Sequence, residues 1–167
     1  MTRTDLPPTG DERTTLATFL DYARATAIEK CTGATDEHGR AAPLPGSPLM
    51  TLSGVINHLR WVEHWWFDVI FLGEEDRGPW TDEDPDREFT VDLGLPLADV
   101  LAAYAADSDR HRATVAAHSL DDLAQRPIRD GSHVNLRWVL MHLVEETARH
   151  NGHLDILREL ADGTTGQ

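Results

Sequence analysis

The sequence predicts an all-α fold, a four-helix bundle with long crossover connections. Four stretches place apolar side chains at three- and four-residue steps, the spacing that puts them on one helix face. Between the middle two lies "EEDRGPWTDEDPDREFTVDLGL", residues 74–95, acidic and broken by Pro79 and Pro85. A segment of this length can run along a bundle and return outside it, so that the helices it joins lie parallel. At 167 residues the chain reads as one domain over 1–167, long enough to bury a core without disulfide or metal staples.

The first helix is expected from about Asp11, a plausible cap, to Cys31, on the recurrence of Leu16, Phe19, Leu20, Ala23 and Ala27 with Gly33 beyond. Residues 32–50 mix Gly, Pro and charge without period and read as a connection. The second helix starts after a Thr51 cap and lasts to Gly73, with Leu52, Val55, Ile56, Leu59, Val62, Trp66, Val69 and Ile70 on its apolar arc. The third is expected to begin near Pro96, a favoured first-turn residue, and to end about His118. After the turn "SLDDLAQRPIRDG" the fourth spans about Asn135 to Leu160, with Gly163 just past its end.

Composition narrows the function. A formal net charge of -14 argues against a phosphate-tracking surface, so nucleic acid is not an expected partner. The one cysteine, Cys31, excludes an internal disulfide framework and fits a reducing compartment, making cytoplasm the default. The N-terminal "MTRTDLPPTGDERTT" lacks the apolar run of an export signal, and no segment reaches the uncharged length of a membrane span.

Orientation then sorts the histidines. On a wheel of about 100° per residue with His142 at zero, the apolar arc of the last helix centres near 100°. His150 falls at about 80° and Glu146 at about 40°, inside the arc, while His142 and His153 lie at its edge, near 0° and 20°. A carboxylate facing a bundle core is costly unless paired or coordinating a metal. On the second helix His58 flanks the apolar arc beside Val62, Trp65 and Val69, whereas His64 joins Arg60, Asn57 and Asp68 on the side expected to face water. Two imidazoles and a carboxylate offer three ligands on one side of an ion, with positions left for water or substrate. The alternative stays open: Glu and His at helical spacing also make surface ion pairs, and a histidine beside tryptophans also serves as packing.

"HLRWVEHWWF" at 58–67, "WTDEDPD" at 80–86, "AAHSLDDL" at 116–123 and "LRWVLMHLVEETARHNGHLDILRE" at 136–159 resemble, in order and spacing, the DinB-like superfamily, and within it the actinobacterial branch of the mycothiol S-transferases. The resemblance implies a four-helix bundle with parallel middle helices. It also implies a metal triad of one His from the second helix and a His or Glu, then a His four residues on, from the last helix. Carried over, these are His58, Glu146 and His150. Glu146 stands where many relatives have His, as in the mycothiol-dependent maleylpyruvate isomerases that this sequence also resembles. Relatives are often dimers, which leaves a homodimer open.

An open divalent site, zinc by preference with nickel, manganese or iron as alternatives, lowers the pKa of a bound thiol or water. The resemblance thus implies a thiol S-transferase with mycothiol as co-substrate and small electrophiles as acceptors. No catalytic residue beyond the ligands is then required. A thiol-dependent isomerase, a hydrolase, or a non-catalytic metal or small-ligand binding protein are the competing readings. Cys31 reads as a small residue closing its helix. Trp61, Trp65 and Trp66 read chiefly as packing, with Trp65 also able to line the pocket's apolar wall. His142 and His153 are candidates to orient a ligand or touch substrate, and Trp80 is expected to anchor a solvated acidic loop.

Overall fold

The computed structural model describes residues 5–166; residues 1–4 and 167, which include part of the expected frayed ends and of the N-terminal stretch in which no export signal is expected, lie outside the described residues. Among the described residues the architecture is all-helical, with one isolated bridge between Leu123 and Asn135. The elements are α1 (Glu12–Cys31), a short α2 (Asp36–Arg40), α3 (Leu52–Glu63), α4 (Leu97–Ala117) and α5 (Leu136–Asp162). None of these helices is long and apolar enough to cross a membrane.

Local chemistry sets the helix ends. The side chains of Asp11, Thr51 and Asn135 each accept a hydrogen bond from a first-turn N–H, of Thr14, Gly54 and Trp138. Each satisfies a donor that the helix itself leaves unpaired. At the far end of α5, Gly163 takes the left-handed conformation (φ 77°) and donates to the Glu159 carbonyl. Pro96 differs from expectation: it occupies the cap position, outside the first turn, and has no capping side chain. The orphan Leu97 N–H is taken instead by the Asp36 carboxylate at 2.9 Å. That bond explains why the stretch read as irregular connection contains α2, whose first residue serves as a cap for α4.

The second long helix reaches residue 71 in two windings. Beyond Glu63 it loosens into a π-helix (His64–Phe71), with Leu72 N–H bonding back to Phe67 C=O at 2.9 Å. Side chains past residue 63 therefore depart from the regular 100° wheel.

Contacts fix the helix directions. Glu12 meets Arg137, Ala23 meets Asn151 and Lys30 meets Asp155, so α1 and α5 run parallel. Arg60 meets Asp107 and Asp68 meets Arg110, so α3 and α4 run parallel as well. Arg24 reaching Glu63, and Arg13 reaching the Val115 and His118 carbonyls, set the first pair against the second. The order is up-down-down-up. The apolar core divides into two clusters: Leu16, Phe67, Val115 and Leu140 at one end, and Ala27, Leu52, Val100 and Leu154 at the other. The buried polar residues described below come from the middle turns of the same helices.

Candidate metal centre

His58 on α3 and Glu146 and His150 on α5 converge across the α3–α5 interface. Glu146 Oε1 lies 3.3 Å from His58 Nε2 and 3.1 Å from His150 Nε2. One ligand atom from each residue falls within 4.8 Å of the others. Donors bound to one tetrahedral ion at about 2.0–2.1 Å sit roughly 3.3 Å apart, so the spacing fits a small divalent cation. The second carboxylate oxygen of Glu146 is taken by Arg149, four-fifths of a turn along the same helix. Hydrogen bonds from His150 and then His58 hold the Glu146 carboxyl well below the usual carboxylate range.

The remaining ring nitrogens are held too, and this bears on the fit. Nδ1 of His58 lies 3.4 Å from Glu88 Oε1, and Nδ1 of His150 lies 3.3 Å from His153 Nδ1. With Nδ1–H donating to these partners, both Nε2 lone pairs would be turned to an ion, which would then replace the hydrogen bonds to Glu146, the arrangement that fixes tautomer and ring orientation at metal sites. Burial opposes the charged form of His58, but bonds to Glu146 and Glu88 outweigh it and raise its pKa.

Glu88 comes from the acidic crossover, where Arg87–Phe89 forms a single 3₁₀ turn against α3. Gly54, one turn before His58, makes this approach feasible: a Cβ there would meet the Phe89 carbonyl oxygen at 2.8 Å. Asn57 Nδ2 donates to the Glu88 carbonyl at 2.7 Å. The Phe89 ring then stacks on His58 at 4.4 Å and 11°. The turn thereby grips the imidazole by face and by edge. Nothing in the periodicity of the crossover marks Glu88 or Phe89, and both are absent from the residues expected at the site.

A model of the mycothiol-S-transferase family matches residues 15–163. The chain belongs to this family. No curated protein matches the sequence. The parallel middle helices and the His58, Glu146 and His150 positions named from the resemblance are thus found in a mycothiol-S-transferase family member whose crossover also supplies Glu88.

The other expected residues divide. His153 abuts His150, as above. His142 sits one turn before Glu146, and its ring stacks on Trp138 at 5.1 Å, with Trp66 at 4.7 Å. Trp65 is not a core residue: it is 37% exposed and meets Trp80 edge-on at 6.0 Å. Trp80 also meets Trp61 at 6.3 Å, and so ties the crossover to α3. Cys31 is fully buried at the end of α1, and burial pushes its thiol up to about 12. It is no nucleophile.

His64 is where the sequence reading fails. The face expected to see water packs against α4, and His64, Asn57 and Asp68 are all buried. Two causes act together: parallel α4 covers that face, and the loosened winding turns residues 64–71 away from a regular wheel. The face stays polar because α1 and α4 bring partners. Arg24 grips Glu63 through both carboxylate oxygens, at 2.8 and 2.7 Å, and His111 Nδ1 donates to Glu63 at 2.9 Å. Asp68 accepts from Arg110 at 2.6 Å and from His64 Nδ1 at 2.8 Å, leaving His64 Nε2 to accept the Arg77 backbone N–H. Despite burial, Arg24 and His111 hold the Glu63 carboxyl below its usual range.

Proposed function

We propose that the protein is a divalent-metal-dependent thiol S-transferase, in which His58, Glu146 and His150 hold the ion, mycothiol supplies the sulfur and a small electrophile accepts it. Support comes above all from the convergence of two Nε2 atoms and one carboxylate oxygen, each imidazole with its second nitrogen already engaged, in a member of the mycothiol-S-transferase family. The donor set, two neutral imidazoles and one carboxylate, suits zinc and other borderline divalent ions. When bound, such an ion supplies a Lewis acid that favours the thiolate over the thiol at neutral pH.

The chain's own residues do the rest. Glu88 and Phe89 hold the His58 ring, and His153 holds that of His150, so the donors need no rearrangement. The partial burial of all three donors limits water around the reacting sulfur, which strengthens local electrostatics. In the transfer the sulfur forms a bond to the electrophilic carbon while the leaving group departs with its bonding pair; the thiol proton is lost to solvent. No side chain of the protein becomes covalently modified, in keeping with the burial of Cys31.

The test is turnover of a panel of small electrophiles by tag-free protein with and without mycothiol. Stoichiometric thiol consumption with a thioether product is expected. An isomerised product with thiol unconsumed would make the protein an isomerase, and thiol-independent turnover a hydrolase.

A further inference from the structure

Between α3's π-helical extension and the turn before α5 lies an open cavity of about 560 Å³, walled by Trp65, Trp66 and Ile70 on one side and by residues 127–130 on the other. That volume suits a small organic ligand. We propose that this cavity binds a flat, ring-bearing carboxylate, the ring lying against the tryptophans and the carboxylate meeting Arg129. That this ligand is the sulfur acceptor rests on the transferase reading above; that the cavity binds it does not.

Three observations carry the proposal. The first is the wall itself. Trp65 leaves more than a third of its surface exposed and braces against Trp80, while Trp66 is braced by Trp138 at 5.0 Å and His142 at 4.7 Å. Indole rings held in place this way offer rigid faces for stacking at little entropic cost. The second is charge. In a chain of net charge -14 the guanidinium groups mostly lie against carboxylates; among the described residues Arg129, exposed on the cavity's rim, is one of three, with Arg40 and Arg87, whose guanidinium has no partner, and it alone of the three lines this cavity. Its neighbour Asp130 does not neutralise it, because Asp130 Oδ1 is turned back to accept from Ser132 N–H at 2.9 Å and Ser132 Oγ–H at 2.6 Å. A planar guanidinium beside an apolar cavity recognises a carboxylate through two parallel bonds. The third is position. Trp66 touches His142, which stands one turn before Glu146 on α5, and Trp65 lies in the π-helical run that continues α3 beyond His58. The cavity wall is therefore in contact with the turn of α5 that precedes Glu146.

The experiment uses 2-naphthoate and its uncharged twin, 2-naphthamide, as probes, with Kd from calorimetry and from tryptophan quenching at about 0.15 M salt, where repulsion by distant charges is largely screened. The full chain is expected to prefer the carboxylate by about three- to fivefold, the range an exposed ion pair supplies. R129Q should erase that preference and leave naphthamide binding unchanged. W65A, with an unchanged far-ultraviolet circular dichroism spectrum as the check on folding, should weaken both probes by about tenfold. H150A should leave both unchanged, so loss of the metal site and failure of the cavity are told apart. Absence of naphthoate binding, a preference that survives R129Q, or W65A binding both probes at full strength would each overturn the proposal.

Discussion

His111 and His58 are both histidines held between two carboxylates in the middle of one bundle, yet their surroundings differ in a way that separates structure from function. His111 lies between Glu63 and Asp68 with no solvent exposure. Its two carboxylates already face two arginines, Arg24 and Arg110, so the cluster is compensated without help. His58 lies between Glu88 and Glu146 with its side chain 15% exposed, and the one arginine beside them, Arg149, is mostly in solvent. Two carboxylates against one arginine leave room for positive charge, which a divalent cation would supply. Each cluster also leaves one buried atom without a hydrogen-bond partner, His111 Nε2 in the first and Glu88 Oε2 in the second, so the difference between them lies in the arginines. Two buried arginine partners favour a structural role for the first cluster, and the more open charge balance of the second is what the proposed metal site would use.

The sharpest way to break the comparison is to remove one member of each cluster and measure unfolding with chelator present. Arg24→Ala strands Glu63 in the core and is expected to cost about 3–5 kcal/mol. Glu146→Gln, which keeps an acceptor oxygen beside His58 and His150 and strands no charge, should cost the metal-free protein clearly less than Arg24→Ala. Equal losses would erase the distinction.

Next in size are substitutions in the crossover turn. Glu88→Gln should weaken metal binding by about 10- to 100-fold without touching a ligand, the usual penalty for losing a partner that orients one. Gly54→Ala, which forces the Phe89 carbonyl away, should do the same. Competition with a chromophoric chelator measures both, and unchanged affinity in the two variants would leave the turn a packing element only.

A smaller effect lies in pH. Glu63 and Asp68 titrate below their usual range, so their contribution is complete above about pH 4–5 and is lost as pH falls through their folded values. The pKa of His111 is raised, since its bonds to Asp68 and Glu63 outweigh burial; its contribution is complete below about 6.5 and is lost as pH rises through the folded value. Metal-free protein should therefore melt highest between about pH 4.5 and 6.5, and His111→Gln should flatten the alkaline decline. Smallest of all is Cys31→Ala, expected to leave thiol transfer unchanged; a loss of turnover with the fold intact would assign that thiol a role.

The four long helices, their caps at Asp11, Thr51 and Asn135, and the facing of Glu146 and His150 were legible because short-range periodicity and capping chemistry determine them. Glu88 and Phe89 were not, since a carboxylate in an acidic crossover looks solvated until Gly54 and Asn57 are seen to dock the turn. His64 was misassigned for a related reason. A single helix wheel cannot register a second helix packed on its polar face, nor a change of winding at residue 64. The wheel already favoured His58 over His64, and the family resemblance added the expectation that His58, Glu146 and His150 act together as metal ligands.

The metal content of protein purified without chelator and without a histidine tag tests the central claim most directly. Wild-type protein should carry about one divalent ion per chain. His58→Ala, Glu146→Ala and His150→Ala should each lose it, because two remaining protein ligands hold an exchangeable ion poorly. His64→Ala, whose side chain belongs to the other cluster, should keep it. A wild-type chain that takes up no ion even when zinc is supplied, or a His150→Ala chain that retains full occupancy, would contradict the account.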